Sequence, residues 1–158
     1  MPAPPRAVQE FLEQKRFAVV GVTRNRRNEP GNLVYRKLRD AGYEVFPVNP
    51  GAREVEGVPC HPDLESIPGG VDGVVVTTAP AVTEAIARDC ARLGIGKVWM
   101  HRSFGGGSVS EEAVAFCRGH GIDVIPGGCP MMYCGPVDWG HRCMRWILGV
   151  TGRLPRDD

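Results

Sequence analysis

A loop rich in arginine follows the first apolar run of the chain. The run is FAVV, and the loop reads GVTRNRRNEPGN, beginning at Gly21. A glycine turn before a helix presents backbone N–H groups to phosphate. Thr23 and Arg24 add a hydroxyl and a guanidinium group that suit the same anion, with Arg26 and Arg27 as further candidates. The loop predicts phosphate binding, and a solvent-exposed basic loop is the alternative.

The residues that follow the second predicted strand indicate which kind of nucleotide the loop would bind. A dinucleotide-binding domain has two further glycines in the first loop and an acidic residue after the second strand, which holds the ribose hydroxyls. This chain instead reads PVNPGAR, with Asn49, Pro50 and Arg53 and no carboxylate before Glu54. The missing acid favours an adenosine that carries an additional phosphate, as in CoA or NADP. A simple turn at Asn49 and Pro50 is the alternative.

The loop after the fourth predicted strand, HRSFGGGSVSEE, offers further contacts. We expect His101 and Arg102 to point into a ligand cleft from the end of the strand. The glycines at 105–107 allow close approach of the backbone to a ligand, and Ser108 or Ser110 would cap the next helix. An anion or a pantetheine arm fits such a loop, and a flexible crossover connection is the alternative.

Four potential metal ligands lie near the C-terminal end of the sequence: Cys129, Cys134, His141 and Cys143. Their spacing, C-x4-C-x6-H-x-C, matches none of the usual tetrahedral zinc patterns. His141 and Cys143 would also point about 200° apart on a helix. No metal site is predicted. Cys129 follows the fifth strand, so it is either a small core residue or a neighbour of a CoA thiol.

Short strands alternating with helices must bring these residues together. Strands are predicted at 17–21, 44–50, 71–78, 97–100 and 122–126, and helices at 7–16, 32–41, 82–93, 110–120 and 139–150. Asn32 is the expected N-cap of the second helix. The pattern predicts a Rossmann-like, doubly wound α/β fold with a parallel five-stranded sheet, strand order 3-2-1-4-5, and helices on both faces. Ligands would bind at the carboxyl ends of the strands, between strands 1 and 4.

Composition limits the function classes. The chain has 158 residues, 19 basic and 18 acidic, so we expect one domain (1–158, with a C-terminal helix at about 137–150) and no partnership with nucleic acid or membrane. No apolar run approaches the roughly 20 residues that span a bilayer. The N-terminus lacks a signal-peptide pattern, and the six cysteines lie singly in apolar segments. A cytoplasmic protein with reduced thiols is expected.

Several segments together resemble the CoA-binding domain family: FAVVGVT, GYEVFPVNPGAREVEGVPCHPDLESIP, VDGVVVTTAPAVTEAIARDCARLGIGKVWM and VIPGGCPM. This family is related to the nucleotide-binding domain of the succinyl-CoA synthetase alpha subunit, and the resemblance covers about residues 5–135. It implies a stand-alone protein that binds CoA and lacks the catalytic domains of the synthetase.

The resemblance also implies residue roles. Gly21, Thr23 and Arg24 would contact the CoA phosphates, Asn49 and Pro50 would lie by the adenosine, and the segment after strand 3 would form a second wall. Together with the residues chosen from the loops, the candidate ligand-binding residues are Gly21, Val22, Thr23, Arg24, Asn32, Asn49, Pro50, Arg53, Thr78, Ala79, Pro80, Val82, His101 and Arg102.

The function expected is binding of CoA or an acyl-CoA through its phosphorylated ADP moiety, in a non-catalytic binding or regulatory module. Two alternatives stay open. One is an NADP-binding domain of the oxidoreductase type, and the other is a CoA-dependent enzyme that uses His101 or Cys129 as acid, base or nucleophile. A homo-oligomer or a partner enzyme is a further expectation.

Overall fold

The protein is described by a computed structural model that covers residues 3–24, 28–103, 106–136 and 139–157. Arg26, Arg27 and Gly105 lie outside the described residues. The α-helices of this part of the chain are α1 (Arg6–Leu12), α2 (Pro30–Asp40), α3 (Pro80–Leu93), α4 (Glu111–Gly119) and α5 (Trp139–Val150). The strands are β1 (Arg16–Val20), β2 (Glu44–Val48), β3 (Glu54–Val55), β4 (Val58–Pro59), β5 (Gly73–Val76), β6 (Lys97–Met100) and β7 (Asp123–Pro126).

Among the described residues, five strands form a parallel sheet in the order β2-β1-β5-β6-β7, and β3 and β4 form a short antiparallel hairpin beside it. The predicted α/β class with a Rossmann-like parallel five-stranded sheet is confirmed. Successive residues of β1 point to opposite faces. Phe17 and Val19 join a core with α1, α2 and α5, whereas Ala18 and Val20 join a core with α3 and α4. Helices therefore cover both faces, as predicted.

The predicted strand order 3-2-1-4-5 is wrong. Counted over the large sheet alone, the order is 2-1-3-4-5, because β1 pairs with β5 on the side away from β2. β5 reads GVVV and is wholly buried, which suits a central strand. β2 lies at the edge of the sheet and contains Pro47, whose carbonyl accepts a hydrogen bond from the N–H of His61. The side of Pro47 that lacks an N–H thus faces away from β1, as prolines in edge strands do. The switch point lies between β1 and β5, not between strands 1 and 4.

Helix ends refine the sequence-based prediction. Ser110 is the cap of α4, because its Oγ accepts a hydrogen bond from the N–H of Ala113 at 3.2 Å. α3 ends as predicted at Gly94, which adopts a left-handed conformation with φ +73°. α2 begins at Pro30, two residues before the predicted cap. No described helix is long and apolar enough to cross a membrane.

All six cysteines are free, and five of them are buried. Burial raises the pKa of Cys90 to about 12 and that of Cys117 to about 11. These two residues pack between the sheet and helices α3 and α4. They are un-ionised thiols that fill the core as small apolar side chains.

Candidate functional site

Two glycines allow the turn after β1 to meet the start of α2. Gly21 has φ +108°, and a Cβ atom at this position would lie 2.4 Å from Oγ1 of Thr77 and 3.1 Å from Cγ2 of Thr78. A Cβ atom at Gly31 would lie 2.5 Å from the carbonyl oxygen of Gly21. Backbone therefore packs directly on backbone here, and the edge of the sheet has no bulky side chain between β1, β5 and α2.

Two helices begin at this edge without a side-chain cap. α2 starts at Pro30 and α3 at Pro80, and no side chain of the described residues caps either N-terminus or places an acid in the first turn. The first backbone N–H groups of a helix have no partner within the helix, and the helix dipole adds positive potential there. An anion at this edge would face both helix ends.

Asn32 supports the loop from inside the fold. It is 1% exposed and lies in the first turn of α2, so it is not the N-cap that the sequence predicted. Its Oδ1 accepts hydrogen bonds from the N–H of Thr23 at 3.0 Å and from its hydroxyl at 3.3 Å, and its Nδ2 donates to the carbonyl of Thr23 at 2.9 Å. Its amide groups are thus used to shape the loop.

The hairpin turn between β3 and β4 completes this support. Glu56 accepts a second hydrogen bond from Nδ2 of Asn32 at 2.9 Å, and Arg36 lies 3.6 Å from the same carboxylate. Glu56 has φ +51°, a conformation that costs a non-glycine residue about 1–3 kcal/mol. Its side chain is only 8% exposed. The carboxylate therefore acts on the loop through Asn32.

The remaining candidates of the first two loops divide into structural and exposed residues. Asn49 ties β2 to the first loop, because its Nδ2 donates to the carbonyl of Val22 at 2.9 Å and its Oδ1 accepts from the N–H of Gly51 at 2.8 Å. Pro50, Arg53 and Arg24 are exposed, and Arg24 lines a small polar hollow with Thr23, Glu54 and Glu56.

A cleft of about 490 Å³ lies at the switch point of the sheet. This volume is within the usual range for small-molecule sites. The loops after β5, β6 and β7 and the helices α2 and α5 contribute to it. The cleft is lined by Pro30, Leu33, Thr77, Thr78, Ala79, His101, Ser103, Gly107, Ser108, Cys129, Met131, His141 and Met144.

Two hydroxyl groups of the cleft are buried without a hydrogen-bond partner among the described residues: those of Thr78 and Ser108. Ser108 is 1% exposed, and its backbone is fixed on both sides. Its N–H donates to the carbonyl of His101 at 2.8 Å, and its carbonyl accepts from the hydroxyl of Thr83 at 2.6 Å. A buried hydroxyl without a hydrogen-bond partner lowers the stability of the folded protein. A polar group of a ligand could supply the missing partner to the hydroxyls of Thr78 and Ser108.

His101 reaches the cleft as an uncharged imidazole. It is 8% exposed, and its burial, together with the charge of His141, lowers its pKa to about 4. Hydroxyl Oγ of Ser103 lies 3.4 Å from its Nε2. At pH 7 about one molecule in a thousand carries a proton on His101. This residue offers the cleft a neutral donor or acceptor, not a cation.

Cys129 is both a core residue and part of the wall of the cleft. It is buried and packs in the core with Met132 and Leu148. It also lines the cleft beside Met131 and Met144. Cys129 therefore contributes to a wall that a ligand in the cleft would touch.

Known proteins identify the family of this chain. A family model described as a CoA binding domain matches residues 15–135. The chain is also 32% identical over 123 residues to the uncharacterized protein YneT of Bacillus subtilis, in a match that covers 77% of this chain and 87% of YneT. This chain belongs to the CoA-binding domain family.

Other relatives differ in how much of their own length matches this chain. The ADP-forming acetate–CoA ligase I of Archaeoglobus fulgidus is 30% identical over 129 residues, which are 77% of this chain but only 18% of the ligase. A conserved hypothetical protein from Pyrococcus furiosus has a structure with a TM-score of 0.62 and 31% identity, covering 70% of this chain and 90% of that one. The family thus includes chains close to this one in length and domains of far longer ligases.

The structure separates the predicted site residues into two groups. Thr78, Ala79 and His101 line the cleft of this family member, and Gly21 packs against its edge. Val82 lies on the exposed side of α3. Arg102 was expected to point into the cleft, which is wrong. Its side chain lies beside Gly127, and it lines another groove with Glu111 and Arg118. The backbone of Arg102 forms an isolated antiparallel bridge with Gly128.

Sequence reasoning missed several residues of the site. Gly31 follows Gly21 by ten residues and has no motif of its own, although a glycine in the first turn of a helix is a signal of close packing. Thr77 sits at the end of β5 beside a residue that was chosen. The other missed residues of the cleft wall are Pro30, Leu33, Ser103, Met131, His141 and Met144. They come from elements whose position depends on the correct strand order.

Among the described residues, no group of three or more His, Cys, Asp or Glu side chains is placed to hold a metal ion. His141 lines the cleft, and Cys134 is buried in the core. Cys143 lies on α5. Cys129 shares the cleft with His141 and the core with Cys134.

We expect Ser108→Ala to have opposite effects on stability and on ligand binding. Removing an unpaired buried hydroxyl should raise the free energy of unfolding by about 1 kcal/mol. The affinity for CoA should fall roughly 3- to 10-fold, the equivalent of one lost hydrogen bond. Thr78→Val should change both quantities in the same directions. Urea denaturation and calorimetry measure the two effects.

Ser66→Ala is the matched control, because the hydroxyl of Ser66 is exposed and donates to the carbonyl of Asp63 at 3.0 Å. It should leave CoA binding unchanged and lower stability slightly. A loss of stability in Ser108→Ala would show that its hydroxyl is paired in the free protein and is not held for a ligand.

Proposed function

We propose that this protein binds CoA along the carboxyl edge of its sheet, through the phosphorylated ADP moiety. The observation that carries the proposal is the contact between Gly21 and Gly31, which brings the uncapped start of α2 onto the turn after β1. The pyrophosphate would lie at this backbone surface, where N–H groups and the helix dipole favour negative charge. Family membership supports CoA as the nucleotide.

The additional phosphate of the adenosine would meet an arginine of the first two loops. Among the described residues, Arg24 and Arg53 are the candidates for this contact, and both are exposed. Arg24 lies in a hollow with Glu54 and Glu56, and the carboxylate of Glu56 already has Arg36 as a partner. Either guanidinium group could form a bidentate hydrogen bond with a phosphate.

The pantetheine arm would enter the cleft. Its amides need hydrogen-bond partners, and Thr78 and Ser108 offer buried hydroxyls without other partners among the described residues. Its carbon chain needs apolar contacts, which Leu33, Met131 and Met144 provide. The arm would thus pair the polar groups that the fold leaves unpaired.

We propose a binding or regulatory module as the role of the chain, formed by residues 1–158 as one domain. A CoA-dependent reaction is the second candidate, because His101 and Cys129 both line the cleft and would lie near the sulfur end of the ligand. Incubation with acetyl-CoA, followed by mass spectrometry of the protein and the thioester, distinguishes these two roles.

Oligomeric state, partner enzyme and cytoplasmic location stay predictions. α5 carries two exposed tryptophans, Trp139 at 80% and Trp146 at 64%. Exposed aromatic residues of this kind are enriched at protein interfaces. Light scattering of the purified chain measures whether it associates with itself.

Calorimetry with four nucleotides tests the ligand. We expect CoA to bind about 10- to 150-fold more tightly than dephospho-CoA, because charge-assisted hydrogen bonds to the additional phosphate are worth about 1.5–3 kcal/mol. NADP and NAD should bind more weakly than CoA. Arg24→Ala should reduce the preference for CoA over dephospho-CoA and flatten the salt dependence of binding.

Arg88→Ala is the control for the loss of an arginine, since Arg88 is exposed on α3 and does not line the cleft. Tighter binding of NADP than of CoA would favour the oxidoreductase-type alternative. Equal affinities for CoA and dephospho-CoA would show that the protein does not recognise the additional phosphate, which was inferred from the missing acid after β2.

A further inference from the structure

α5 forms one wall of the cleft, although it lies beyond the part of the chain that matches the family. His141 and Met144 of α5 line the cleft, whereas the family match ends at residue 135. They face the loops after β6 and β7, which contribute His101 and Cys129. Whatever part of a ligand reaches this end of the cleft therefore meets a wall that the family match does not include.

The described residues that line the cleft include no aspartate, glutamate, lysine or arginine. Their polar groups are hydroxyls and imidazoles, and Ser108 and Thr78 have hydroxyl groups that are buried and unpaired within the described chain. Such groups pair well with amide and thioester carbonyls. Beside His101, Cys129 and Met144, a buried carboxylate would lose its hydration without gaining an opposite charge from a lysine or arginine, which is among the most costly forms of burial.

The two histidines do not supply that charge together. Burial and the charge of His141 lower the pKa of His101 to about 4. At pH 7 the neutral form of His101 is thus about a thousand times more abundant than the protonated form. With His101 neutral, the cleft does not hold a pair of imidazolium ions that could bind a second carboxylate.

We propose that this cleft selects CoA thioesters whose acyl group is uncharged, and that the wall formed by α5 sets this selectivity. The proposal rests on the proposed binding of CoA. It assigns the phosphates to the part of the cleft lined by Pro30 and Ala79, where α2 and α3 begin, and the sulfur end to the part lined by His101, Cys129 and Met144. Acetyl- and butyryl-CoA belong to the accepted class, and succinyl- and malonyl-CoA belong to the excluded class.

The test is a calorimetric panel of CoA and these four thioesters at pH 7. Acetyl-CoA should bind within about threefold of CoA, and succinyl-CoA at least tenfold more weakly. Met144→Arg places a guanidinium group in the wall and should reduce the difference between acetyl- and succinyl-CoA to less than threefold. Trp146→Arg makes the same addition of charge on the same helix, at a side chain that is 64% exposed, and should leave the difference unchanged.

The outcomes separate this proposal from the proposed function. If CoA binds and succinyl-CoA binds as tightly as acetyl-CoA, the selectivity is refuted while CoA binding stands. If neither CoA nor any thioester binds, both proposals fall. The wild-type panel decides the selectivity even if Met144→Arg does not fold. An equal change in Met144→Arg and Trp146→Arg would show that net charge, not the wall of the cleft, controls the preference.

Discussion

Gly31→Ala is expected to separate the start of α2 from the sheet, with a loss of about 2 kcal/mol in the free energy of unfolding. The new Cβ atom would lie 2.5 Å from the carbonyl oxygen of Gly21 and 2.7 Å from its carbon, and 2.8 Å from Oγ1 of Thr77. Two of these atoms are backbone, so no side-chain rotation relieves the contact. Alanine is the better helix former by as much as ~1 kcal/mol, but overpacking costs up to about 3 kcal/mol and outweighs it.

The same substitution should also reduce CoA affinity more than tenfold, because it separates the helix N-terminus from the turn at Gly21. Gly119→Ala is the matched control, since Gly119 is also helical and a Cβ atom there would meet nothing within 4 Å. It should leave binding unchanged and raise stability by as much as ~1 kcal/mol. Urea denaturation and calorimetry on both variants give the comparison. Similar results for the two glycines would refute the role of the close backbone contact.

The sequence predicted the sheet and its helices but not the order of the strands. Apolar runs such as FAVV and GVVV identify buried strands, because both faces of a parallel sheet are covered. They do not by themselves show which strands are neighbours. Pro47 was the available signal, since a proline within a strand favours an edge position. With β2 at the edge, β5 becomes the neighbour of β1, and the cleft moves to the loops after these two strands.

Residues of the candidate site could be predicted where a local sequence pattern determines the backbone conformation. They could not be predicted where the site forms from elements that are distant in the sequence. Gly21 was found because a strand followed by a glycine and a helix is a local pattern. Ser108 was considered only as a cap, and its unpaired hydroxyl depends on contacts with His101 and Thr83 that no local pattern contains. Asn32 was predicted as the cap of α2 and as a ligand-binding residue, whereas its observed contacts depend on Thr23 and on Glu56, 24 positions away.

Asn32→Asp is expected to destabilise the protein by about 3–5 kcal/mol at pH 7, although the two side chains have nearly the same shape. The carboxylate cannot donate to the carbonyl of Thr23, and it would replace a donor that lies 2.9 Å from the carboxylate of Glu56. Two buried carboxylates at this separation repel each other, and breaking a buried, paired charge costs about this much. Loss of the Thr23 contact should also lower CoA affinity at least tenfold in molecules that remain folded.

The stability loss of Asn32→Asp should depend on pH and on Glu56, whereas a general loss of packing would depend on neither. Lowering the pH should reduce the deficit relative to wild type, because a proton taken up by the new carboxyl group makes it a donor to Glu56. Adding Glu56→Gln should restore part of the stability at pH 7, since the amide of glutamine donates where the carboxylate repelled. Asn28→Asp, the same change at an exposed position of the same loop, should alter stability by less than about 0.5 kcal/mol. If Glu56→Gln gives no recovery in the Asn32→Asp background, the loop is held by contacts other than the one from Glu56 through Asn32 to Thr23.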